Sequence, residues 1–288
     1  MKSNLLIASC LGIMLSLGAC GINNANVAYQ TLNVMTFNIR YNNPSDGEYA
    51  WPNRKENVAS VVRFHKADII GMQEALRGQI DDLQQLLPEY RWIGVGRDDG
   101  ENAGEFSPIF YRQDRLRVLD NGTFWLSETP EIIGSKSWDA AITRIANWAV
   151  MEDLQSGQQI LMLNTHFDHR GEQARTNSAT LIARYVQSLS DGRPAVITGD
   201  FNVPPTALAY ATMTEDYADS YLKSLTVPHG PEGTFGGFVV GEDGNNRRID
   251  YVFISEEIEV LRYAALSDQW NGFYPSDHLP VMVELQLP

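Results

Sequence analysis

One pattern constrains this chain more than any other. Short apolar runs that read as buried strands repeatedly stop on, or carry near their ends, a residue of catalytic type. Residues 31–40 (TLNVMTFNIR) alternate apolar and polar and carry Asn38. Residues 68–73 (DIIGMQ) end at Glu74, and residues 159–166 carry Asn164 and His166, with Asp168 just beyond. Residues 194–198 run into Gly199-Asp200 and Asn202. Residues 248–255 (RIDYVFIS) contain Asp250, and Asp277-His278 precede the apolar run 279–285. Taken singly, each polar residue reads as a turn, a cap or a satisfied structural group. Together they suit one site at a sheet edge.

The remaining patterns place these strands in a layered α/β fold. Helical periodicity covers residues 51–65, with Pro52 in the first turn and Val58, Val61, Val62 and His65 as its buried stripe. It also covers 79–87 and 172–190, the last with Ala179, Ile182, Ala183, Val186 and Leu189 on one face. Further strands fall at 91–96, 107–112, 116–126 with a break at Asn121-Gly122, 142–153 and 257–264; 142–153 forms a hairpin with 159–166. Many strands with only three clear helices argue against a doubly wound nucleotide fold. No Gly-rich phosphate loop follows a strand, and Gly236-Gly237 precede no helix.

The polar set has a coherent chemistry. Two or three carboxylates can hold an oxygen-seeking cation, asparagines and histidines can donate to a phosphoryl group, and a histidine paired with a carboxylate can activate water. A rival is a zinc cluster of His166, Asp168 and His169. It is disfavoured because His166 and Asp168 share a strand face while His169 begins a turn, and neither His65 nor His229 has supporting spacing.

The N-terminus reads as a separate unit. Lys2 precedes an apolar run, residues 5–17, too short for a membrane span. The segment Leu17-Gly18-Ala19-Cys20 resembles the lipobox of bacterial lipoproteins, in which the cysteine is lipidated after cleavage. The expectation is a signal peptide at 1–19, a lipid on Cys20, a polar tether at 20–30 and one catalytic domain at 31–288, a monomer held extracytoplasmically at the bacterial cell envelope. An ordinary signal peptide containing a cysteine is the alternative. Cys10 and Cys20 are the two cysteines, so cleavage leaves one and no intramolecular disulfide.

The strings TFNIR (36–40), QE (73–74), NTHFDH (164–169), GDFN (199–202), RIDYVF (248–253) and SDH (276–278) resemble, in order, those of the metal-dependent endonuclease/exonuclease/phosphatase superfamily. Its members include pancreatic-type deoxyribonucleases, abasic-site endonucleases, inositol polyphosphate 5-phosphatases, bacterial sphingomyelinases and deadenylases. The resemblance implies a four-layer sandwich, two mostly antiparallel mixed sheets flanked by helices, and hydrolysis of a phosphoester with Mg²⁺ or Mn²⁺. It implies Glu74 as principal metal ligand, with Asn38 and Asp277 on the metal side. Asp200 and Asn202 would orient the attacking water, and His278 would move the proton with Asp250 on its far nitrogen. His166 would be a second catalytic histidine paired with Glu105, in a segment ending at Tyr111. Local strings (GEYAW at 47–51, TRIANW at 143–148, GTFGGF at 233–238) resemble a secreted bacterial branch. Arg54, Arg144, Asn164, Tyr111 and Asp168 are candidate phosphate or substrate contacts. Trp51, Trp138, Trp148, Phe238 and Trp270 read as core or as a substrate wall.

Charge bears on the substrate. With 22 basic and 36 acidic residues the formal charge is −14, which disfavours grip on a nucleic-acid backbone. A small phosphoester or phospholipid headgroup is expected, with contact to the membrane only through the N-terminal lipid. An extracytoplasmic nuclease and an inactive surface-binding lipoprotein are the alternatives.

Overall fold

The computed structural model describes Met1, residues 31–241 and residues 247–288. The signal-peptide, Cys20 and tether assignments lie outside the described residues. In chain order the elements are β1 (Thr31–Asn38), a 3-10 turn (Pro44–Tyr49), α1 (Trp51–His65), β2 (Ile69–Gln73), α2 (Arg77–Leu86), β3 (Tyr90–Ile93), β4 (Ile109–Arg112) and β5 (Leu116–Trp125). There follow β6 (Ile145–Asp153), β7 (Gln159–His166), α3 (Glu172–Ser190), β8 (Ala195–Asp200), α4 (Leu208–Asp216), β9 (Ala218–Asp219), α5 (Ser220–Lys223), β10 (Asp250–Ile254), β11 (Glu259–Ala265) and β12 (Val281–Gln286).

The strands form two six-stranded sheets, ordered β11-β12-β1-β2-β4-β3 and β5-β6-β7-β8-β10-β9. The parallel pairings among these strands are β1 with β2 and β7 with β8. Both follow from connectivity: α1 carries the chain from β1 back to the start of β2, and α3 does the same between β7 and β8, as a parallel neighbour requires. The other strands pair antiparallel, so both sheets are mixed.

Strand alternation builds the layers. On β1, Leu32 and Val34 join the apolar cluster between the sheets, with Ile69, Met162, Val196 and Val252, while Met35 and Phe37 pack outward against Val58 and Val62 of α1. Leu163 and Ile197 of the second sheet pack outward on Ile182 and Val186 of α3 and Met213 of α4. Helix, sheet, sheet and helix therefore stack as four layers, the architecture the sequence motifs imply.

Toward one end the inter-sheet gap changes from apolar to polar. Asn164 Oδ1 accepts from Gln73 Nε2 at 2.7 Å and Thr198 Oγ1 at 3.0 Å, and its Nδ2 donates to the carbonyls of Met72 (2.7 Å) and Pro108 (3.0 Å). Gln73 Nε2 also donates to Thr36 Oγ1 at 3.0 Å. Gly71 makes this closeness possible: a Cβ there would lie 2.1 Å from Thr198 Oγ1 and 2.4 Å from Asn164 Oδ1.

Three expectations are corrected. Asn121-Gly122 does not break β5, which runs through it; Gly122 instead makes room for the Trp148 ring on β6, which a Cβ would meet at 2.8 Å. His65 is not part of the buried stripe of α1 but pairs with Asp268 at 2.9 Å on a half-buried surface. The helices α4 and α5 were not anticipated; α4 is short, has no side-chain N-cap and carries two threonines, so its periodicity is weak.

The polar seam predicts a specific sensitivity. Gly71→Ala should lower unfolding free energy by about 1–3 kcal/mol through overpacking. A urea denaturation midpoint equal to wild type would contradict that close approach.

Candidate active site

The polar rung lies one step beyond the seam, on the same inward faces. Register places it there. His166 is the cross-strand partner of Asp200, Asp200 is the partner of Asp250, and Asn38 pairs with Gln73 just before Glu74. The segment bearing Asp277 and His278 is fastened to β1 by Ser276 Oγ donating to the Asn38 carbonyl at 2.7 Å. Residues far apart in sequence so meet at one edge, around a cleft of about 500 Å³ lined by Glu74, Asp200, Asn202, Asp277, His278 and His166, among others.

His278 is buried, and its Nδ1 donates to Asp250 Oδ2 at 2.9 Å. That contact fixes the tautomer and turns Nε2 toward Asp200 Oδ2, 3.7 Å away. Burial alone would lower the His278 pKa, but the Asp250 and Asp200 carboxylates outweigh it and hold the imidazole well above its ordinary value. Burial, then the Asp250 charge, pushes Asp200 in the opposite sense to a normal salt-bridged acid, well above the carboxylate range. His166 is held neutral by burial and by Arg144. Its Nε2 lies 3.0 Å from Asn202 Nδ2 and 3.3 Å from Asp200 Oδ2.

Asn38 enters differently from its expected metal-side role. It is fully buried; its Nδ2 donates to Glu74 Oε1 (3.1 Å) and Asp200 Oδ2 (3.0 Å), and its Oδ1 accepts from the Arg40 backbone (3.0 Å). It spaces the two carboxylates and exposes no oxygen of its own. Glu74 sits in the left-handed region at φ 62°, which turns its carboxylate into the cleft. Ligand atoms of Glu74, His166 and Asp200 lie within 4.8 Å of one another. The donor set fits a hard divalent cation: it is oxygen-rich, there is no cysteine among the described residues, and burial raises the Asp200 and Asp277 pKa values in a way that nearby positive charge would relieve. Glu74 and Asp200, with the His166 ring within reach, would hold the ion, and Asp277 lines the same cleft.

Basic residues line the same cleft. Arg144 lines the cleft with His169, and Glu105 lies there too. Glu105 does not pair with His166 as expected: its carboxylate is taken by Arg97 at 2.7 Å, with Arg144 at 4.0 Å.

Four expected substrate contacts lie elsewhere. Asn164 is buried in the seam with its amide fully used. Arg54 is a strut: its guanidinium donates to the carbonyls of Ile39, Arg40 (2.6 Å), Tyr49 (2.8 Å) and Pro275 (3.1 Å), tying the loop after β1 to the Asp277 segment. Tyr111 packs against the inter-sheet core, on the β4 residue paired with Ile69, toward the far end of the strand. Asp168 accepts four backbone N–H groups, from Ala141, Ile142, Arg170 and Gly171, which also removes it from any zinc cluster.

Sequence reasoning missed several residues. Thr234 Oγ1 donates to Asp250 Oδ2 at 2.6 Å and accepts the Ile249 and Asp250 N–H groups at 3.1 Å, so it holds the carboxylate that holds His278. Phe235 packs edge-on against His278 at 4.7 Å and carries the Arg247 guanidinium over its other surface at 4.2 Å. Tyr41 and Ile142 complete the mouth. The tryptophans and Phe238 lie outside the cleft lining; Trp51 is core, and Phe238 stacks on Tyr49 at 4.9 Å. The GTFGGF string was the available signal for Thr234 and Phe235, but nothing in it marks a hydroxyl aimed at Asp250.

A two-sheet sandwich with a carboxylate- and histidine-lined cleft at one edge is the arrangement of a hydrolytic enzyme. Residues 35–278 match the Endonuclease/Exonuclease/phosphatase family, and the chain belongs to it. It is similar to the endonuclease/exonuclease/phosphatase from Bacteroides vulgatus, at 41% identity and TM-score 0.86, covering 90% of this chain and 100% of that one. It is also similar to a mannosyl-6-phosphatase from Bacteroides thetaiotaomicron, at 39% identity and TM-score 0.86, covering 88% and 99%. Human Nocturnin shares 22% identity over 259 residues, covering 81% of this chain and 58% of that protein. Family and neighbours support phosphoester hydrolysis.

The geometry separates catalysis from stability. His278→Ala and Asp200→Asn should each lower kcat by roughly 10²–10⁴-fold. Thermal unfolding of Asp200→Asn should occur at or above the wild-type temperature, because a poorly compensated buried carboxylate is removed. A large drop in melting temperature with modest rate loss would assign Asp200 a structural role instead.

Proposed function

We propose that this protein hydrolyses a small phosphoester with the help of a divalent cation, Mg²⁺ or Mn²⁺, and that a sugar phosphate is its class of substrate. One observation carries the reading: a carboxylate cluster with an Asp250-braced His278 shares a cleft of only about 500 Å³ with Arg144, Arg40 and Arg247. The cation, when bound, neutralises charge on the phosphoryl oxygens and on the cluster. The chain's own groups do the rest. Asp250 holds the His278 tautomer through Nδ1, and His278 Nε2 is the atom that moves a proton. Asp200 orients the attacking water. Asn202, at φ 52° and held by Asp200 Oδ1 on its N–H at 2.9 Å, presents its amide to the same space.

Support for a small substrate comes from the cleft size, the formal charge of −14 and the similarity to a mannosyl-6-phosphatase.

The test is a substrate screen at matched Mg²⁺ concentration: mannose and inositol phosphates, phosphoinositides, sphingomyelin, plasmid DNA and short RNA. A sugar phosphate should lead in kcat/KM by about tenfold or more, and EDTA should abolish turnover until metal is restored. DNA or RNA leading by the same margin would reverse the substrate class. Full activity in EDTA would remove the cation from the reaction.

A further inference from the structure

Arg144 is a buried charged group in the cleft with few partners. It is 5% exposed, just ahead of β6, yet Nε and Nη1 are buried with no hydrogen-bond partner among the described residues. Its Nη2 has a single contact, 3.4 Å to His169 Nδ1. The carboxylate of Glu105 stands 4.0 Å from Nη1 and is already engaged by Arg97 at 2.7 Å. A buried guanidinium with unspent donors is costly, and folded proteins pair such groups. The absent partner has the chemistry of an anion, and Arg144 lines the cleft where one would sit.

We propose that Arg144 seats the terminal phosphoryl group and selects phosphate monoesters over diesters. This deepens the proposed hydrolysis and rests on it. The argument is one of counting oxygens. A guanidinium offers two parallel N–H groups that match two oxygens on one phosphorus. Glu74, Asp200 and Asp277 line the same cleft. A monoester has three unesterified oxygens, so two can meet Arg144 while the third turns to the cation that these carboxylates would hold. A diester has two. Meeting the fork uses both, and turning one to the cation leaves one N–H of the fork unpaired.

The experiment compares p-nitrophenyl phosphate with bis-p-nitrophenyl phosphate at fixed Mg²⁺, and measures orthophosphate binding by calorimetry, for wild type, Arg144→Met and Arg144→Lys. Wild type should favour the monoester in kcat/KM by on the order of 100-fold. Arg144→Met should lose most of that ratio and weaken orthophosphate by a similar factor. Arg144→Lys keeps a charge without the planar fork and should lose about tenfold of the ratio; it decides the matter if Arg144→Met does not fold. A wild-type preference for the diester, or a ratio and orthophosphate affinity unchanged in a folded Arg144 variant, overturns the assignment. Failure of wild type to cleave either ester defeats the hydrolase reading instead, while the orthophosphate comparison still reads the Arg144 site.

Discussion

The amide of Asn164 is the contact on which the rest of the architecture depends. It lies on β7 and bonds to Gln73 and the Met72 carbonyl of β2, to Pro108 ahead of β4, and to Thr198 of β8. Apolar packing holds the two sheets together but is non-directional, and sliding one sheet over the other would change it little. A buried amide with all its hydrogen bonds made tolerates no such slip, because each lost bond would leave an unsatisfied polar group in the interior. The seam therefore sets where β1 and β2 stand relative to β7, β8 and β10. The rung above it inherits that alignment: Asn38 of one sheet reaches Asp200 of the other at 3.0 Å.

The site built on this seam is held against its own electrostatics. Asp200, Asp250 and His278 are all buried, and Asp277 and Glu74 face the same space. Two of the residues involved adopt left-handed backbone: Glu74, whose side chain disfavours it, and Asn202, of a residue type that tolerates it. Strain and uncompensated charge gathered at one edge are what a binding site for a cation and a phosphoryl group requires beforehand. Basic groups at the same cleft complement it: Arg97 and Arg144 share the one carboxylate of Glu105, and Arg40 stands 4.0 Å from both Glu74 and Asp277.

Much of this was legible in the sequence because it is local. The short apolar runs that carry Asn38, His166, Asp200 and Asp250 read as strands, and parity puts each of these side chains on the inner face, whereas Glu74 falls one residue past β2 and is turned in by its left-handed backbone. The structure brings these residues together. What the sequence obscured is how each polar group is used. Asn164 and His166 share a face and differ by one step, yet one is wholly occupied between the sheets and the other reaches the cleft. Arg54 and Arg144 looked alike as candidate anion contacts; backbone carbonyls accept from one guanidinium, while Nε and Nη1 of the other are buried without a hydrogen-bond partner among the described residues. Thr234 stood in the GTFGGF string, but its importance lies in a contact to Asp250 that the string does not mark.

The central claim is that the seam brings Glu74 and Asp200 together as one cation site. Anomalous diffraction from crystals soaked in Mn²⁺ tests it directly. The account predicts a peak bounded by the carboxylate oxygens of Glu74 and Asp200, lost in Glu74→Gln crystals of unchanged fold. Saturating Mn²⁺ with no peak there, or a peak held by other residues, would contradict it.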